Sequence, residues 1–75
     1  MNAQELEKAR KVFEEAGIQF VREVEPGSGP RFGTLLTSAK DQKGDVWVAI
    51  GPGSIDPDVR ASLREVLQWV ANREN

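Results

Sequence analysis

The chain has no cysteine and no histidine. Without cysteine there can be no disulfide staple and no thiolate metal site. Without histidine, the usual general base near neutral pH and the commonest metal ligand are both missing. No apolar run approaches the roughly 20 residues that a bilayer-spanning helix needs. The stretch from Met1 to Lys11 is polar and mixed in charge, unlike a secretory signal. A basic excess is lacking too. Ten Lys and Arg stand against twelve Asp and Glu, giving a net charge of −2 and a pI of about 5.0. Dedicated nucleic-acid binders usually carry the opposite balance. These absences lead to the expectation of a cytoplasmic protein that needs no cofactor and no membrane.

What is present is enough for one small folded domain over residues 1–75, with 39% apolar residues and two tryptophans. Leu6, Ala9, Phe13 and Ala16 recur at helical spacing, which predicts a helix over residues 3–16 with Gly17 as its C-terminal cap. Ile18 to Glu25 and Arg31 to Ala39 read as strands on either side of the loop-forming Pro26-Gly27-Ser28-Gly29-Pro30. Asp41 to Asp45 reads as a hairpin turn with Gly44 at positive φ, followed by a β-prone run from Val46 to Ile50. Asp56 is placed to cap a second helix, with Pro57 at its first position and Asp58 in its first turn. Val59, Leu63, Val66, Leu67 and Val70 form one apolar stripe along that helix through about residue 72. Trp69 sits off the centre of the stripe and is expected to close the edge of the core. The expected fold is α+β in the order α-β-β-β-α, a three-stranded antiparallel sheet with two helices packed on one face.

Several short stretches resemble the small HicA-type toxins, messenger-RNA interferases that share the element order of double-stranded RNA-binding domains. The first runs Phe13-Glu14-Glu15-Ala16-Gly17-Ile18-Gln19-Phe20-Val21-Arg22, and the second Gly27-Ser28-Gly29-Pro30-Arg31-Phe32. The third begins with Val46-Trp47-Val48-Ala49-Ile50. It continues through Pro52-Gly53 and Ile55-Asp56-Pro57 to Leu63-Arg64-Glu65-Val66-Leu67. The resemblance implies the fold and an RNA-related role. The family's catalytic histidine, however, falls on Gly29, so its ribonuclease activity is not expected here. The family is also typically basic, and this chain is acidic.

Three kinds of site can be weighed from the residues. If Phe20, Val24, Phe32, Val46, Val48 and Ile50 face the helices, strand parity turns Val21, Leu35 and Trp47 outward as one apolar cluster, rimmed by Arg31 and Thr37. Tryptophan is enriched at binding hot spots, so this cluster is the expected protein-binding surface. Leu35 and Leu36 are adjacent, and either could take the core position. Arg22, Arg31, Lys40 and Lys43 could instead form a basic edge for nucleic acid. Glu23 and Glu25 lie two apart on one strand and could serve acid–base or cation chemistry, but they read more simply as a solvated face. Ile55-Asp56-Pro57-Asp58 opens the second helix with acid where the RNA-binding fold carries lysines. The functional expectation is therefore a non-enzymatic protein-interaction module, a small regulator or inhibitor of the kind phages and mobile elements encode. Its partner would be another protein or a second copy of the chain, and RNA binding is the alternative.

Overall fold

The computed structural model describes residues 2–24 and 33–73. Five elements follow one another: α1 (Ala3–Glu15), β1 (Gln19–Glu23), β2 (Thr34–Lys40), β3 (Val46–Gly51) and α2 (Pro57–Arg73). The fold is α+β in the expected order.

The ends of α1 are set by side-chain and backbone capping. The Asn2 carboxamide oxygen accepts from the Glu5 amide at 2.9 Å, and the Asn2 amide nitrogen reaches the Glu5 carboxylate at 3.4 Å. This reciprocal pair satisfies a free amide of the first turn. At the other end the Ile18 amide donates to the Phe13 carbonyl at 2.8 Å, and the Gly17 amide to the Glu14 carbonyl at 3.0 Å. Gly17 has φ +80, the left-handed conformation this cap requires. The cap turns the chain directly into β1 and brings Phe13 and Ile18 together in the core. At α2 the Asp56 carboxylate accepts from the Asp58 amide at 2.8 Å, and its carbonyl from the Arg60 amide at 3.0 Å. Asp58 in the first turn and Arg73 in the last complement the helix dipole.

The strand order is β1-β3-β2, with β3 in the centre and antiparallel to both neighbours. β1 ends opposite Val46 and β2 begins opposite Gly51, at opposite ends of the sheet. The strands are shorter or shifted relative to expectation: β1 stops at Glu23, and β2 runs from Thr34 to Lys40. Expectations for Glu25, Arg31, Phe32 and the Pro26–Pro30 loop lie outside the described residues.

The register assigns each side chain to a face, because directly opposed residues share one. Phe20, Arg22, Thr37 and Ala39 lie opposite Ala49 and Trp47 on the side where the helices pack. Gln19, Val21, Glu23, Leu35, Ser38 and Lys40 lie opposite Val46, Val48 and Ile50 on the far side. This corrects the sequence expectation for β3. Trp47 and Ala49, rather than Val46, Val48 and Ile50, face the helices. The physical reason is that β3 is the central strand and apolar at every position from Val46 to Ile50, so alternation carries no phase. Thr37, expected on the outer rim, is half-buried on the helix side. Val24, expected in the core, lies beyond the end of β1 and is exposed.

β2 carries a bulge between Leu35 and Thr37, where the pairing skips Leu36. An extra residue on one strand places two residues against one. This settles the choice between the adjacent leucines: Leu36 enters the core, and Leu35 stays 61% exposed on the far side. Under the helices Leu36 joins Phe13, Ile18 and Ala49 and the buried face of α2, which is formed by Leu63, Val66, Leu67 and Val70. The Phe13 and Phe20 rings meet edge to face at 5.8 Å between centroids.

Candidate interaction surface

The hairpin joining β2 to β3 explains why Trp47 is not an outward anchor. The Asp41 amide donates to the Asp45 carbonyl at 2.9 Å, and the Gly44 amide to the Asp41 carbonyl at 3.1 Å. Gly44 has φ +92, as the turn demands. The Asp41 carboxylate folds back over this turn. One oxygen accepts from the Lys43 and Asp45 amides at 3.0 and 2.9 Å. The other accepts from the Trp47 indole N–H at 3.0 Å. The indole packs against the core on the helix side, between Ala39 and Arg22 on the neighbouring strands. The Arg22 guanidinium lies 5.7 Å from the centre of its ring and pairs with the Asp45 carboxylate. Turn composition marked Asp41 as a turn residue, but nothing in the sequence tied it to a tryptophan six positions on.

Asp41 is almost fully buried. Burial pushes its carboxyl group up. The indole hydrogen bond, the Asp45 and Lys43 amides and the Arg22 charge outweigh that effect and hold it below its ordinary value of 3.8. A depressed carboxyl pKa stabilises the fold at pH above the ordinary value, and that stabilisation is lost as pH falls through the folded value. The urea midpoint of the wild type should therefore drop as pH falls below 3.8. Asp41→Asn should start lower at pH 7 and decline less steeply through that acid range. Parallel acid profiles for the two proteins would show that Asp41 makes no such contribution.

The residues considered for nucleic acid do not converge. Arg22 points to the helix side and is paired with Asp45, Lys40 lies on the far side opposite Val46, and Lys43 sits in the turn. Arg31 lies outside the described residues. Asp41, Asp45 and Glu23 occupy the same end of the sheet, so that end carries both signs of charge. Glu23 lies on the far face, while Glu25 lies outside the described residues. Among the described residues no group of three or more acidic, histidine or cysteine side chains is placed to hold a metal ion. None of the described helices is long and apolar enough to cross a membrane.

Of the expected protein-binding residues, the structure brings Val21 and Leu35 to the far face and sends Trp47 and Thr37 to the other. The far face nonetheless carries at least one aliphatic residue on each of the three strands. Val21 lies opposite Val48, Leu35 opposite Ile50, and Val46 is half-buried between Glu23 and Lys40. Val48 and Ile50 are themselves only 6% and 8% exposed, so the accessible apolar surface there is centred on Leu35. Elsewhere, a shallow trough of about 870 Å3 runs along α2 from Ile55 past Pro57, Ala61 and Gln68 to Trp69. Trp69 packs against the edge of the core, as expected, with the Arg73 guanidinium 5.2 Å from its ring centre. When the chain is compared with known proteins, no family model, no curated protein and no solved structure matches it.

Proposed function

We propose that this chain is a non-catalytic protein-interaction module, a small regulator or inhibitor that docks on a larger partner through the sheet face turned away from the helices. The observation that carries the reading is Leu35. It is a large aliphatic side chain, 61% exposed, opposite Ile50 on a face that also carries Val21, Val46 and Val48 in the neighbouring rows. Exposed aliphatics grouped on one face favour a partner more than isolated ones do. The same reading takes the glycine at position 29, where the resembled toxins carry their histidine, as consistent with a chain that binds without cleaving.

Leu35→Asp tests it. The side chain is outside the core, so the variant should fold with stability within about 0.5 kcal/mol of wild type. Binding to a partner captured by the wild type, and confirmed by reciprocal capture, should weaken about 30-fold or more, the scale of a hot-spot loss. Val12→Lys changes an equally exposed apolar residue on α1 and should leave that binding intact. Capture that disappears with nuclease and ignores Leu35 would replace this reading with nucleic-acid binding.

A further inference from the structure

α1 is joined to the molecule differently from the other four elements. Of its 13 residues only Phe13 is buried, and only Leu6 and Ala9 are half-buried. The rest of the buried cluster, from Ile18, Leu36 and Ala49 to Leu63, Val66, Leu67 and Val70, comes from outside α1. Among the described residues, no side chain of α1 makes a hydrogen bond or ion pair with the sheet or with α2. The bond across the junction is the Ile18 amide to the Phe13 carbonyl. Where α1 runs beside α2, a cleft of about 240 Å3 lies between Ala9, Val12 and Phe13 on one side and Asp58, Val59 and Ser62 on the other. The helix is also weak in itself. Its 13 residues are close to the length at which an isolated helix is marginal in water. Glu14 and Glu15 close it with no basic residue in the last turn, the wrong sign for the dipole at that end.

We propose that α1 is a detachable cover: it leaves the core and melts as one unit, hinged at Ala16 and Gly17, while the sheet and α2 stay folded. Segments with few buried contacts open at lower free energy than the core, in cooperative blocks. Gly17 holds φ +80 because the closed cap requires it, and as a glycine it leaves that conformation without penalty when the cap breaks. The open state uncovers the Phe20 ring and the Val59 flank of α2, which Phe13 and its neighbours shield in the closed molecule. This apolar surface lies on the helix side of the sheet, so it is separate from the docking face at Leu35.

Native-state amide exchange in rising urea tests the proposal. The amides of residues 8–16 and of Ile18 should share one protection factor, about ten-fold or more below those of Val48 in β3 and Leu67 in α2. They should also show a smaller urea slope, because opening α1 exposes less surface than unfolding the whole chain. Asp41→Asn weakens the hairpin, which stays folded in the open state. It should lower protection at Val48 and Leu67 about three- to ten-fold and leave residues 8–16 unchanged. Leu36→Val, a change in the core on β2, should divide the amides in the same way. One protection factor and one urea slope shared by residues 8–16, Val48 and Leu67 would overturn the proposal. So would α1 amides that fall with Val48 and Leu67 by the same factor in both variants.

Discussion

Replacing Trp47 with alanine should destabilise the fold by about 2–4 kcal/mol, somewhat below the range for fully buried aromatics because the indole is only half-buried. Two losses combine. The ring no longer packs against the core between Ala39 and Arg22, and the nearly buried Asp41 carboxylate loses its side-chain donor. Removing one partner of a buried hydrogen bond leaves the other desolvated and unsatisfied. Trp47→Phe keeps most of the apolar contact and removes only the N–H, so its loss should be smaller. Urea denaturation of the three proteins measures the order directly. Wild-type stability in Trp47→Ala would mean that the indole stands outside the core, as strand parity alone had placed it.

Phe13→Ala should have the larger effect, about 3–5 kcal/mol. A chain of this length has roughly 4–11 kcal/mol in total at the usual stability per residue. Phe13 is only 2% exposed and serves three junctions at once. Its ring meets Phe20 of β1 edge to face, its side chain belongs to the core under α2, and its carbonyl accepts the Ile18 amide that turns α1 into β1. Phe13 is the one fully buried residue of α1, so little else holds that helix to the core once the ring is gone. The melting temperature should fall by about 15 °C or more, given the usual shift per kcal/mol for domains of this size. Phe13→Leu should recover much of the loss. A change under about 1 kcal/mol in Phe13→Ala would show that α1 contributes little to the cooperative unit.

The parts of this molecule that sequence reveals are those fixed by local chemistry. Asp56 and Pro57 start α2, Gly17 ends α1 and Gly44 closes the hairpin, each by a conformational preference that needs no distant partner. The phase of β3 was not legible, because a strand apolar on both sides gives the same pattern either way. The bulge at Leu36 was not legible for a related reason: a skipped residue leaves no mark in composition, only an ambiguity between two leucines. These two features together decided the candidate surface. Val21 could be placed outward from alternation and Leu35 only once the bulge was seen, while Trp47 was misplaced because its orientation depends on an acceptor, Asp41, supplied by the turn. Nor did the run of elements fix the strand order, since β1 finds its partner across β2 rather than beside it.

That order has a consequence for how the chain is made. β2 and β3 are neighbours in sequence, joined by a short turn that Asp41 ties down, so they can pair as soon as both exist. β1 is synthesised before either, yet its pairing partner is β3, and loops that close over longer stretches form more slowly. During vectorial synthesis β1 therefore waits with both edges unpaired until Val46 to Gly51 have left the ribosome, and α2, which seals the layer above, arrives later still. For this chain the N-terminal third cannot become native before β3 emerges, and that interval is when it is most open to mispairing and to capture by chaperones.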